Sequence, residues 1–347
     1  MILNGYAILV LFAAGLRLLL APLVVGLALA GSWRRVQAEC TKGAERHEDR
    51  HYLAMSLTLL LILLNLLSWP LVYLLLLSYV PHWSGVMCIY GVMEVGAGST
   101  GATGYLPALL RFLQLSKPLL LFLGGGWLVL YVLNRQTRTA PLMQRLAIML
   151  LLLGTLAAAD AAAELAYVVI PKKDEVPSAG CCTTAFGNRG GPARLASGSL
   201  DDGGHRRLLS AAYYGCNLAL ILGMTVGTRR RHRLPGCLEL VLMLFGGLIV
   251  LAIGSLFLVD VAVPTLLELP YHRCPYDLIA QVPEAVVAVT IFLAGCFALG
   301  WAAVARWCGR CPETEPLIPG MVRGLLRISR WGFIGSLIMM TLELALA

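Results

Sequence analysis

The chain predicts an all-α integral membrane protein of about eight transmembrane helices, arranged as two similar four-helix halves. Three observations carry this expectation. Apolar residues make up 59% of the 347 and charged residues only 13%, with a mean hydropathy of +0.78, a balance outside the range of soluble domains. The apolar residues are gathered into runs of the length that a bilayer core requires, roughly 20 residues of helix. Short signatures also recur in the same order in both halves, which marks an internal repeat.

Eight runs qualify, at 6–30, 52–79, 117–133, 145–170, 208–227, 237–264, 284–306 and 331–347. The third and eighth are the shortest, so seven or nine are the competing counts. The first run holds Arg17 and is followed by no small-residue cleavage site, which reads as a span rather than a signal peptide. Asn65, Trp69 and Pro70 predict a kink in the second. Residues 106–115 read as a short helix lying in the membrane interface. The glycines from Gly96 to Gly104 match neither a phosphate-binding loop nor a dinucleotide fingerprint and read as a loop.

Orientation follows from the basic residues. Loops after the odd-numbered spans carry Arg34, Arg35, Lys42, Arg46, Arg50, Arg135, Arg138, Arg145, Arg229, Arg230, Arg231, Arg233, Arg306, Arg310, Arg323, Arg327 and Arg330, 17 of the 27 Lys and Arg. The richer side is cytoplasmic, so both termini are expected outside, in a bacterial inner membrane. Lys117 counts with the outer loops in this reading. Topology and anionic headgroups account for the net charge of +8, so the expected partner is the lipid bilayer and no nucleic acid.

The repeat rests on three matches. Gly31-Ser-Trp-Arg34-Arg35 resembles Gly227-Thr-Arg-Arg230-Arg231, Pro81-His82 leading to Cys88-Ile-Tyr90 resembles Pro270-Tyr-His272-Arg-Cys274-Pro-Tyr276, and Thr139-Ala-Pro141-Leu142 resembles Thr314-Glu-Pro316-Leu317. The implied organisation is a first half over 1–170, an exoplasmic linker over 171–207 and a second half over 208–347. Four spans per half give both copies one orientation, hence a pseudo-two-fold axis along the membrane normal. Chance similarity of short basic and proline-containing loops is the competing explanation.

Four of the ten cysteines, Cys88, Cys181, Cys182 and Cys274, fall in the expected outer loops. They are the candidate residues for thiol redox catalysis, which needs an accessible, activated thiolate. His82 precedes Cys88 by six residues and His272 precedes Cys274 by two. Thiolate with imidazole suits copper(I), zinc or iron, which makes His82, Cys88, His272 and Cys274 the candidate metal ligands and copper or another soft transition metal the candidate cofactor. Neither spacing is that of a zinc finger or a haem attachment site. The plainer alternative bridges Cys181 and Cys182 to Cys88 and Cys274 as structural disulfides. Cys308-Gly-Arg-Cys311, on the cytoplasmic side, reads as two reduced thiols, and Cys216 and Cys296 as packing residues.

Ionisable groups within spans are costly and each requires a partner or a task. Asp160 and Glu164 lie one helical turn apart, hence on one face of the fourth span, among alanines that allow close helix approach. Arg17 is the expected counter-charge, serving either a buried ion pair or a proton or cation pathway. Asp260 and Glu343 occupy the outer parts of spans six and eight. These five form the candidate intramembrane charge set.

No Ser/His/Asp arrangement, hydrolase carboxylate pair or nucleotide site is legible, which argues against a conventional hydrolase or an energy-coupling ATPase subunit. The leading expectation is an exoplasmic Cys/His cap acting in thiol–disulfide redox or soft-metal handling, with an exported redox protein or metalloprotein as partner. The alternatives are a secondary transporter using the intramembrane charges and a structural anchor for other membrane subunits.

Overall fold

The computed structural model describes residues 4–35, 44–83, 86, 88–97, 101–171, 202–229, 236–269 and 272–346. Among the described residues eight helices are long and apolar enough to cross a membrane, and no strand occurs. Helices satisfy their backbone polar groups internally, which hydrocarbon surroundings demand. The chain divides into two compact units, Met1–Ala179 with Cys311–Thr314, and Gly180–Arg310 with Glu315–Ala347.

Unit 1 contains α1 (Gly5–Arg35), α2 (Ala44–Tyr79), the short α3 (Ile89–Met93), α4 (Leu106–Arg135) and α5 (Met143–Val169). α1 packs on α2 and α5, and α4 packs on α5 and α2, so the four long helices close a ring. Each contributes to one core layer of Leu20, Ala21, Leu61, Leu120, Leu153 and Ala157. Gly154 brings α5 close to α1, since a Cβ there would lie 2.5 Å from Val25 Cγ2, the close approach that small residues permit in membranes. Glu313 joins this unit by accepting from Thr139 Oγ1 at 2.6 Å.

Unit 2 contains α6 (Asp202–Arg229), α7 (Cys237–Phe257), α8 (Val263–Leu266), α9 (Pro275–Gln281), α10 (Pro283–Cys308) and α11 (Ile318–Leu346). α6 packs on α7 and α11, and α10 packs on α11 and α7, closing a ring in the same chain order. α10 and α11 meet backbone to backbone: a Cβ on Gly332 would stand 2.9 Å from Gly295 Cα, and Ser329 Oγ donates to Gly295 O at 2.8 Å. A π turn over Leu258–Ala262 joins α7 to α8, with Val263 N–H donating to Leu258 O. Pro264 explains it: proline has no N–H for the carbonyl four residues back, that of Asp260, and its ring crowds that carbonyl. The wider turn relieves both, and single π turns recur at functional sites.

Two expectations about spans are corrected. The separate interfacial helix at 106–115 does not form, because Leu106–Arg135 is one helix whose Pro107 suits a first turn. Lys117 therefore belongs to a span and not to an outer loop. The eighth span begins at Ile318 rather than 331, so Arg323, Arg327 and Arg330 lie in α11 and not in the preceding loop. Arg323 Nε donates to Pro319 O one turn back at 3.0 Å, and the Arg330 guanidinium lies over the Trp331 ring, 5.7 Å from its centroid. At Pro70 the second span continues as helix from Ala44 to Tyr79.

Candidate functional site

Cys88 and Cys274 hold matching local positions, each in its own unit. Cys88 is the extended residue just before α3 and Cys274 the extended residue just before α9, in the connection between the second and third long helices of the unit. Both thiols are buried. Proline at 275 is pre-organised for the first helical position and sets α9 running immediately after Cys274. Three residues on, one helical turn brings Asp277 back beside it.

Around Cys274, unit 2 assembles a polar cluster. The Cys274 sulfur and a carboxylate oxygen of Asp277 lie within 4.8 Å of one another, and His272 Nε2 sits 2.6 Å from Asp277 Oδ2. The neighbouring Arg273 reaches back to the π turn, its Nη1 lying 3.3 Å from Asp260 Oδ1. His205, near the start of α6, approaches the other oxygen, Asp260 Oδ2, at 3.8 Å. Asp260 is buried, so the Arg273 guanidinium answers its charge where water does not. The Arg273–Asp260 pair thereby ties the segment carrying His272 and Cys274 to the end of α7.

Unit 1 carries a second cluster. Arg17 Nη1 donates to Asp160 Oδ2 at 2.8 Å and to Asn65 Oδ1 at 3.0 Å, and Arg17 Nη2 donates to Glu164 Oε2. Lys117 Nζ donates to Ser68 Oγ at 2.7 Å, to Asp160 Oδ2 at 3.0 Å and to Glu164 Oε1. Ser68 Oγ donates to Glu164 Oε1 at 2.6 Å, and Ser116 Oγ donates to Asp160 Oδ1. All four charged residues are buried. Two cations and two carboxylates from α1, α4 and α5 therefore balance, with α2 supplying the neutral Ser68 and Asn65.

The structure thus brings Arg17, Asp160 and Glu164 together and adds Lys117, which sequence reasoning had placed in a loop. Asp260 and Glu343 stand outside that network in unit 2. Asp260 has its own partners, whereas Glu343 is half-buried and makes no ion pair among the described residues. Exposed His82 ends a 3₁₀ turn and meets Tyr79 edge-on, ring centroids 6.3 Å apart. Cys181 and Cys182 lie outside the described residues, and with them the expected linker bridges. Asp277, Arg273 and His205 were not anticipated. An acid in the first turn after Cys-Pro was the available signal for Asp277; nothing local announces a pairing of Arg273 or His205 with Asp260.

No protein-family model, curated protein or solved structure matches this chain.

Proposed function

We propose that this multi-pass membrane protein handles a transition metal at the Cys274 end of unit 2, on the exoplasmic face, in exchange with an exported partner. The observation that carries this reading is that the Asp277 carboxylate lies beside the Cys274 sulfur and is bonded to the His272 imidazole, all within six residues. Thiolate and carboxylate form a mixed donor pair; the carboxylate widens it beyond copper(I) to borderline ions such as zinc. A carboxylate bonded to an imidazole is also how proteins hold a ligating histidine in one orientation. Metal binding requires the thiol to lose its proton, and the thiol chemistry expected of Cys88 and Cys274 belongs to the same face.

The test uses the purified full chain titrated with cobalt(II), whose thiolate coordination is visible as a sulfur-to-metal charge-transfer band. Cys274→Ser is expected to abolish the band, and His272→Ala to weaken binding by about 10- to 100-fold, the usual effect of removing an orienting partner. Absence of cobalt binding by the wild-type chain, or equal affinity in both variants, would overturn the metal reading. Alkylation mapping separates the disulfide alternative: Cys88, Cys181, Cys182 and Cys274 all permanently bridged would remove the thiol chemistry and leave structural staples.

We also propose that the two units arose by duplication. The shared ring order and the matched places of Cys88 and Cys274 before α3 and α9 support it. The exoplasmic assignment rests on the loop charges, so reporter fusions after Arg138 and Arg231 should be cytoplasmic and fusions near Thr184 exoplasmic. Inversion at two of the three sites would put the Cys274 cluster on the cytoplasmic side.

A further inference from the structure

The charge network of unit 1 plays no part in the metal reading, and its chemistry points elsewhere. We propose that Lys117, Glu164 and Ser68 form a proton-exchange centre inside the membrane, the Arg17–Asp160 pair holding it in place. The ligand is the proton.

Residue choice is the first support. The chain contains 23 arginines and four lysines, and Lys117 is the only lysine among the described residues. Arginine serves as a permanent counter-charge, as Arg17 does against both carboxylates. Lysine is the cation whose proton can leave, and it is the residue found where proteins need that. Intramembrane ionisable groups that are retained despite their cost commonly form proton relays.

Geometry is the second. Lys117 Nζ touches Glu164 Oε1 directly and also touches Ser68 Oγ, which itself donates to Glu164 Oε1. A proton therefore has two routes from nitrogen to the same oxygen, one direct and one through a hydroxyl that accepts and donates together. Transfer breaks one N–H bond of the ammonium and forms one O–H bond on Glu164, giving a neutral amine beside a neutral acid. The network's net charge stays at zero through this transfer, so the internal step leaves no ion uncompensated. Release of that proton from Glu164 to water leaves the network with one net negative charge until a proton from water returns to Lys117 and restores neutrality, so water is both the acceptor and the donor of the cycle. The groups facing this centre are Arg17 from α1, Asn65 and Ser68 from α2, Ser116 from α4, and Asp160 from α5.

The experiment is hydrogen exchange at the lysine ammonium. With ε-¹⁵N-lysine, the full chain in micelles gives at most four side-chain signals, and Lys117→Arg identifies the one from Lys117. After transfer to D₂O, that ammonium is expected to exchange at least tenfold faster than the slowest backbone amides of α5. Ser68→Ala and Glu164→Gln should each slow it by about tenfold. Ser68→Ala alters no charge, and unfolding would accelerate exchange, so slowing cannot come from a damaged fold. Lys117 hydrogens as protected as the core amides, or a wild-type rate in either variant, would overturn the proposal and leave a static ion network. Cobalt binding at Cys274 should be unchanged in Ser68→Ala, so this proposal and the metal reading fail independently.

Discussion

Arg17→Leu should destabilise the protein by about 3–5 kcal/mol, the usual cost of removing one member of a buried ion pair. Arg17 contributes three hydrogen bonds, to Asp160, Asn65 and Glu164, and none of its atoms' surroundings admits water to replace them. Without it the network holds one cation against two carboxylates. Adding Asp160→Asn restores neutrality: its amide oxygen can still accept from Lys117 at the Oδ2 position, while its NH₂ at the Oδ1 position can donate to Ser116, whose hydroxyl also donates to Leu113 O. The double variant should therefore recover part of the loss. Thermal unfolding of the four proteins in one detergent measures the coupling, and strictly additive effects would mean that the two residues do not interact energetically.

Gly332→Leu should cost about 1–3 kcal/mol or more, as overpacking a tight contact does. The obstacle is backbone: a Cβ on Gly332 would meet Gly295 Cα at 2.9 Å, Ile291 O at 3.0 Å and Gly295 N at 3.1 Å. No rotamer change relieves that contact, so α10 and α11 must separate, and the Ser329 to Gly295 hydrogen bond of 2.8 Å stretches with them. Gly332→Ala should already destabilise because the Cβ itself clashes. Gly223→Ala is the control, since nothing lies within 4 Å of its added Cβ, and it should fall within about 0.5 kcal/mol of wild type. Equal melting temperatures for Gly332→Leu and Gly223→Ala would contradict the close α10–α11 contact.

Lys117 and Asp277 show why the sites were only partly legible. A hydropathy scan starts a span after the last charge, and Pro118 beside Lys117 looks like a helix boundary because the residue before proline is biased away from helix. The helix instead runs through both, since its start is set at Pro107 and the lysine finds acceptors on α2 and α5. From the sequence alone Asp277 has no assigned role. It gains meaning only once α9 starts at Pro275 and turns it back toward Cys274. Arg323, Arg327 and Arg330 were misread for the same reason as Lys117, because charges within a helix resemble a loop when only neighbours in sequence are weighed.

What the sequence alone determined was set by properties of consecutive residues. Run length and apolar content specified a helical membrane protein with eight spans, and the spacing of Asp160 and Glu164 placed them on one face. Tertiary structure decided where α4 and α11 begin, that Lys117 is buried, that Asp260 is answered by Arg273, and that Asp277 stands between Cys274 and His272. The division has a physical cause. Transfer from water to hydrocarbon is nearly additive along a helix and can be summed locally, whereas the compensation of a buried charge depends on which faces of distant helices oppose it.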